Sequence, residues 1–537
     1  MNWIRKNIPL WYIASFGLLG LAILNDWIVL LAIGNILIFL LLRPILKLKI
    51  KQYYVVNVLA NLLLMQVLTF WFVFISPAGW LQKIGPLDTR VWLFIVILAV
   101  NTFSSLIFGL YSLLLKHVFT KQKYSLFSIT TILTVSGWLM LAEIMRATTF
   151  SAGVHANSTP IRPVWGIFSS ATLSQIPLLE NIGTIFGFWG IGFLLPFAFI
   201  CIFVSLYAVT KKQPIRIYIA CLVGVAGLVT LSNNINIFQH KSSPLKILVI
   251  SKNKKTEDYL PTLIKRLESR ETNTNTVVAF PEYDNVIFPD VLVPGPLIDY
   301  DRINSVKKLN LTNVYFAGTR DAFWNDTRYA QNYLANSNFD FVQKKSKQFL
   351  VPGGEYVIGW VDTIFQQIDP DASLTFKKSR GRYVVPNSEL EKETTKDAFA
   401  NKVAIGACSD ALVPGVFRSA IKNGADIIAL NISYQQFSGT GQYERFANRH
   451  MQFISNSYQR PVVAGVGYGK AAIFDPNNSL TISIYGNITE LDIPEKINTK
   501  TIYSELGDGY IVGFISIVTI GAVIYRQKRA NRRTTKL

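Results

Sequence analysis

Cysteine and histidine are scarce in this chain of 537 residues, which has three of the first and four of the second. A disulfide framework is thereby excluded, and two of the cysteines, Cys201 and Cys221, sit inside long apolar runs. No cysteine and histidine stand at ligand spacing, so no metal centre is expected. No internal repeat is present. Acidic residues are missing from five short segments: Arg5–Lys6, Arg43–Lys51, Lys116–Lys123, Lys211–Arg216 and Arg526–Lys536. These hold 18 of the 53 lysines and arginines, and the other 35 face 33 acids, so the net charge of +20 marks where the chain turns. It is not the footprint of a nucleic-acid partner.

Apolar residues make up half the chain, and the mean hydropathy is +0.31. Seven runs long enough to cross a bilayer are predicted at 8–24, 27–46, 54–76, 90–115, 125–145, 184–209 and 216–232, and an eighth at 510–525. The first follows Arg5 and Lys6 but has no small-residue cleavage site after it, so it is expected to be an uncleaved helix. With eight spans the five basic segments share one side. The positive-inside rule then puts both termini in the cytoplasm and the long insert outside. The expected organisation is a seven-span region at 1–232, an extracytoplasmic domain at 233–509, and a final span with a basic tail at 510–537.

The insert changes character. Leu245–Ile250, Thr276–Phe280, Val314–Gly318, Lys402–Gly406, Ile427–Ile432, Pro461–Gly465 and Ala471–Phe474 read as strands. Residues 258–269, 413–424 and 441–459 read as helices. Strands interleaved with helices indicate an α/β layered domain. The polar segment 366–400 reads as a mobile excursion. Gly465-Val466-Gly467-Tyr468-Gly469 reads as a strand-end turn rather than a phosphate loop, because no helix follows it.

Cys408 is the one cysteine outside the apolar runs. It closes a short strand and precedes a helix-like run near Val416–Lys422, a place that exposes a thiol and favours its thiolate. A cysteine nucleophile needs a base and an oxyanion donor. The insert offers only two histidines: His240 lies at the membrane boundary, and His450 falls mid-helix where a structural role is expected. A carboxylate is better placed. Glu282 follows Thr276–Phe280 and Pro281, at a strand end where α/β sites form. Lys347, in Lys347–Tyr356, could supply the cation. Taken singly, Glu282 could be a turn carboxylate, Lys347 a solvated lysine and Cys408 a small core residue.

Together with their flanking residues the three carry a resemblance. Pro281-Glu282, Lys347 with Leu350-Val351-Pro352 and Gly354-Glu355-Tyr356, and then Cys408, resemble the Glu–Lys–Cys triad of the nitrilase superfamily. More narrowly, the chain resembles the apolipoprotein N-acyltransferase family over nearly its whole length. Trp138, Glu143 and Arg146 are similar to that family's Trp-x4-Glu-x2-Arg helix end. Trp165, Gly187–Phe193, Asn423–Asp426 with Asn431, and Thr501–Tyr503 with Gly507-Asp508 are similar to further motifs.

The resemblance implies an eight-span bundle joined to a nitrilase-like α-β-β-α sandwich in a bacterial inner membrane. It implies an acyltransferase of lipoprotein maturation, working without a cofactor through a Cys408 thioester. Its partners would be the bilayer, a phospholipid acyl donor and a diacylglyceryl-cysteine lipoprotein acceptor, and a monomer is favoured. Glu282 would be the base, Lys347 the oxyanion donor and Glu355 a supporting carboxylate. Trp360, Phe365 and Ser409 are candidates for substrate contact; from its own apolar pattern and tryptophan, Tyr356–Phe365 reads either as a mobile lid that touches the membrane or as part of the domain core. The sequence departs from the family at Gly353, Ser409 and Asp410. No tryptophan stands after the first insert strand, where the family has one and this chain has Ser251–Leu260. Two alternatives remain at this point: a membrane-tethered nitrilase-type amidase or acyl hydrolase using another acceptor, and a multispan scaffold or transporter. Few ionisable residues fall mid-span, which disfavours transport.

Overall fold

Apolar residues on every side of a long helix leave only lipid or other helices as neighbours. The computed structural model describes residues 7–534 apart from 71–82, 155–180, 283–299, 382–396 and shorter stretches of at most six residues. Its first half is helical: α1 (Ile8–Asn25), α2 (Ile28–Leu46), α3 (Ile50–Thr69), α4 (Thr89–Thr120), α5 (Ile129–Gly153), α6 (Gly183–Thr210) and α7 (Arg216–Asn234). The chain returns to this bundle with its last long helix, Ile502–Thr534. Large apolar side chains such as Val29, Leu110, Leu114, Leu206, Val223 and Ile517 point outward and exposed. Such a surface suits hydrocarbon. Inside, polar side chains pair across helices as lipid-embedded bundles require. Tyr12 donates to Asn57 at 3.2 Å, Asn61 to Ser105 at 3.0 Å and Asn101 to Thr69 at 2.8 Å.

Seven of the described helices are long and apolar enough to span a membrane, one fewer than the eight expected. The missing one is α7, whose apolar part, Arg216–Ser232, is too short by that measure. Two boundaries also move. The third span is helical from Ile50 to Thr69, and residues 71–76 lie outside the described ones. The last helix begins at Ile502 rather than 510 and breaks at Gly507, where φ is +70° and the Arg418 guanidinium occupies the space of a side chain. Described residues in or beside the later basic segments meet their neighbours at the helix ends. Lys116 donates to the carbonyls of Leu46 and Leu48, Tyr218 to that of Phe127, and Arg526 stacks over Phe119.

The insert folds as a sandwich. One half-sheet holds β1 (Leu245–Lys252), β2 (Asn275–Ala279), β3 (Val314–Trp324), β4 (Thr327–Ala335) and β5 (Phe341–Ser346). The other holds β6 (Val403–Ala407), β7 (Ile427–Ser433), β8 (Val462–Gly467), β9 (Ala472–Phe474) and β10 (Leu480–Ile482). A further strand, β11 (Ile488–Ile493), pairs antiparallel with β1. The halves meet where β8 runs parallel to β1 over Val466↔Ser251 and Gly467↔Lys252. Side chains alternate between faces. Ile247, Val249, Val277, Ala279, Ile405, Ala429 and Val463 fill the space between the sheets. Leu248, Ile250, Val278 and Phe316 face outward beneath α8 (Leu260–Glu268) and α9 (Tyr300–Lys307). The layers are thus helix, sheet, sheet, helix.

Beyond α9 come α10 (Gly359–Ile368), α11 (Pro370–Ser379), the short α12 (Arg418–Lys422) and α13 (Gln442–Tyr458), with Ile502–Thr534 as α14. The helix expected over 413–424 is a 3-10 turn followed by α12, and the excursion expected over 366–400 starts as the helix α11. Residues 382–396 of that excursion, and Trp165, lie outside the described residues.

Helix α13 couples the domain to the bundle. Phe453 packs edge-on against Phe188 of α6 at 4.0 Å, and Gln459 donates to Asn181 at 2.9 Å. Gly187, with φ of +54°, lets the Tyr503 ring lie where a side chain would stand, so two of the sequence motifs meet at this junction. His450 is structural. Its Nδ1 bonds the Phe446 carbonyl at 2.9 Å, its ring stacks on Phe188, and burial pushes its pKa down to about 4. The unfolded chain takes up that proton near pH 6.5, the folded one only near 4, so stability falls as pH drops between them. Lowering pH from 7 to 5 should cost about 2 kcal/mol through this residue. Melting of the purified protein at both pH values, beside His450→Gln, checks this; the substitution should flatten the dependence.

Candidate active site

Three chain segments end their strands at one place. Glu282 follows β2, Lys347 follows β5, and Cys408 follows β6. Lys347 Nζ donates to Glu282 Oε1 at 2.8 Å and to Glu355, whose two oxygens lie 3.0 and 2.9 Å away. All three side chains are buried, Lys347 to 1% exposure. Glu355 Oε2 also accepts from the Val351 backbone at 2.8 Å, which fixes the carboxylate beneath the lysine. Asn431 of β7 reaches across the sandwich to the carbonyls of Phe280 and Ala317, and the Glu282 amide donates to the Ile432 carbonyl. The turn carrying Glu282 is thereby tied to both sheets.

Cys408 is bent out of its strand. Its φ is +43°, in the left-handed region, at the start of a 3-10 turn running to Leu412. Such a conformation costs on the order of 1–3 kcal/mol for a residue with a side chain and persists only where the surroundings impose it. Asp410 imposes it. One carboxylate oxygen accepts from the amides of Gln348 and Phe349, both at 3.0 Å. The other accepts from the Ala407 amide at 3.2 Å and the Asn332 side chain at 3.3 Å. One buried carboxylate therefore locks the cysteine turn to the residues after the lysine. Burial pushes Asp410 upward in pKa, opposed by Lys347, Lys345 and these amides. Ser409 braces the same junction through a hydrogen bond to the Phe349 carbonyl.

Sγ of Cys408 is 3% exposed with its residue, and the thiol is pushed well above its ordinary pKa. Burial is the first cause, and Glu282 and Glu355 add to it, while Lys347 and a hydrogen bond with Tyr443 at 3.7 Å oppose it. Two carboxylates around one ammonium leave the site negative, which disfavours a second anion on sulfur. The expectation of an exposed thiol whose thiolate a helix start favours is therefore corrected: Cys408 is buried, and burial with two nearby carboxylates favours the neutral thiol. Tyr443 carries no signal in the sequence. Nothing separates it there from 22 other tyrosines, because the contact joins segments 35 residues apart.

The expected lid is a docked helix. Tyr356 donates to the Val154 carbonyl at 2.5 Å and Trp360 Nε1 to the Gly153 carbonyl at 2.9 Å, both at the end of α5. Phe365 is buried, its ring 5.3 Å from Trp92 near the start of α4. Trp360, Ile364 and Ile368, spaced one turn apart along α10 beside the buried row of Val361 and Phe365, are exposed. Phe349, Leu350 and Val351 after the lysine, and Ala411, Leu412 and Val413 after the cysteine, belong to the same continuous apolar core as the spans.

These features define a class: a helical bundle fit for a membrane, carrying an α/β sandwich with a buried Glu–Lys–Cys site on its bundle side. No family model matches the chain, and no curated protein matches it in sequence. Among solved structures it is similar to Saccharomyces cerevisiae Nit3, a member of branch 10 of the nitrilase superfamily, at 15% identity and a TM-score of 0.30. That match covers 47% of this chain and 91% of Nit3. It is also similar to the C. elegans NitFhit protein (12% identity, TM-score 0.31, 47% of this chain and 60% of that one). A third is the amidase from Nesterenkonia sp. AN1 (10%, 0.29, 47% and 90%). Likeness at this level carries no conclusion about chemistry.

Proposed function

We propose that this protein transfers an acyl chain from a membrane phospholipid, through a thioester on Cys408, to the free α-amine of a diacylglyceryl-cysteine lipoprotein. The observation that carries the reading is the Lys347 ammonium held between Glu282 and Glu355 beside a buried cysteine, in walls continuous with the apolar core of the bundle. Glu282 takes the thiol proton as sulfur attacks the ester carbonyl carbon. Lys347 and the backbone N–H after Cys408 hold the oxyanion. Collapse breaks the ester C–O bond, the lysophospholipid leaves with the proton from Glu282, and the thioester remains. The amine then attacks that carbonyl, gives its proton to Glu282, and expels the sulfur. No step calls for a cofactor. The basic end of the bundle is placed in the cytoplasm and the sandwich outside, as the charge distribution favours.

An acyl chain leaves the bilayer at a cost of about 0.8 kcal/mol per CH₂ exposed, so the route to the thiol must stay apolar. The exposed row of α10 suits the interface, while Phe365 anchors the helix to α4 and the Trp360 indole N–H to the end of α5. Changing Ile364 and Ile368 together to serine, with the Trp360 contact to α5 kept, should slow acylation by vesicle phospholipid on the order of tenfold, from lost interfacial burial. Reaction with a soluble short-chain ester should be spared. Equal slowing of both substrates would remove α10 from the lipid route.

Acceptor choice tests the whole reading. Acyl-enzyme formed from phospholipid is mixed with a diacylglyceryl-cysteine peptide, with the same peptide N-acetylated, or with buffer. Rapid discharge only by the free amine supports transfer; equal discharge in buffer makes the protein an acyl hydrolase.

A further inference from the structure

We propose that Tyr443 is a further catalytic residue, whose phenol donates a hydrogen bond to the Cys408 sulfur and stabilises the thiolate each time it is released. The inference rests on Cys408 being the acyl carrier. The Tyr443 oxygen is 3.7 Å from Sγ, and both side chains are buried. The groups facing the sulfur are unfavourable to its charge overall. Glu282 comes from the turn after β2, and Lys347 and Glu355 from the segment after β5; Asp410 stands on the cysteine's own turn. Among the described groups that act on the sulfur the cation is Lys347, which is shared by two carboxylates and is also needed for the carbonyl oxygen. The turn at Cys408 is a five-residue 3-10 segment, so a long helix dipole does not act there. A neutral donor aimed at sulfur supplies what the charged groups withhold.

Tyr443 can fill that role throughout the cycle. It sits in the first turn of α13, with the Tyr434 ring 5.8 Å away and edge-on. Burial and the neighbouring cysteine raise its pKa well above that of an ordinary phenol, so it remains a donor. Glu444 lies beside Tyr434, one residue further along the helix. The step that gains most is the second. As the C–S bond breaks, its electron pair stays on sulfur, the amine's proton goes to Glu282, and the phenol keeps its own proton while holding the new thiolate.

The test uses the full chain in detergent. The rate of Cys408 alkylation by iodoacetamide is followed against pH by peptide mass spectrometry, which separates it from Cys201 and Cys221. Tyr443→Phe keeps the ring and removes the donor. Its alkylation profile should move up by about one pH unit, a loss of about tenfold at fixed pH. Tyr434→Phe, whose hydroxyl faces Asn448, should leave the profile in place. If Tyr443→Phe does not fold, 3,5-difluorotyrosine at 443 keeps the shape, strengthens the donor and should move the profile down. An unchanged profile, or an equal shift in Tyr434→Phe, overturns the proposal. Alkylation involves neither lipid nor lipoprotein. A shift without lipid acylation would therefore defeat the functional reading alone, and lipid acylation without a shift would defeat the role of Tyr443 alone.

Discussion

Lys347→Met is expected to lower the rate of Cys408 acylation by at least a thousandfold while leaving the cysteine in place. Removing one oxyanion donor costs roughly 10²–10³ in rate. Here the loss goes further. The substitution leaves Glu282 and Glu355, both buried, without the ammonium that each contacts. Two adjacent carboxylates do not both stay ionised, and one takes a proton. If that one is Glu282, the base is lost as well as the donor. Single-turnover acylation with a soluble ester, which bypasses lipid access, measures the effect. A decrease of less than tenfold would show that Lys347 holds the fold rather than the transition state.

Asp410→Asn is the second large effect. Four donors converge on this carboxylate: three backbone amides and the Asn332 side chain. Each oxygen receives two of them, so whichever becomes NH₂ faces two donors instead of accepting from them. Breaking a buried charged network of this kind costs on the order of 3–5 kcal/mol. The damage should be local as well as global, since the amides released are those that hold the segment after Lys347 and the bend at Cys408. Melting of the variant reads the stability loss. Acylation at a temperature where the variant is still folded should fall at least a hundredfold, as expected when reacting groups lose their alignment. Wild-type acylation in a folded variant would show that the strained turn at Cys408 is held by something else.

Glu282 and Cys408 stand out in the sequence because each follows an apolar strand, and β1, β2, β6, β7 and β8 are short β-branched runs buried on both faces; Lys347 follows the polar β5 and stands out only through the flanking Leu350–Pro352 and Gly354–Tyr356. β4 and β5 were not legible. Thr327–Ala335 and Phe341–Ser346 carry arginine, glutamine, asparagine and lysine among their apolar residues, so their alternation is masked. The last helix was placed late because Glu505, Gly507 and Asp508 interrupt its apolar pattern, although Tyr503 already belongs to it. The sequence of α10 shows an apolar stretch with tryptophan, which reads equally as a lid or as core. Only the structure divides that stretch into a face on the bundle, with Phe365 on Trp92, and a face left open. In the sequence Asp410 stands out only as a departure from a family pattern. Its function as a four-way acceptor depends on contacts about 60 to 80 residues away, which no local pattern encodes.

The central claim is that Cys408 accepts an acyl chain from phospholipid, and one measurement addresses it directly. The purified protein is incubated with vesicles of a phospholipid of defined acyl composition, quenched in acid, digested and analysed by mass spectrometry. The peptide containing Cys408 should carry a mass increment equal to that acyl chain, removable by neutral hydroxylamine and missing in Cys408→Ala. An unmodified Cys408 peptide after prolonged incubation of folded protein, or an increment that persists in Cys408→Ala, would contradict it.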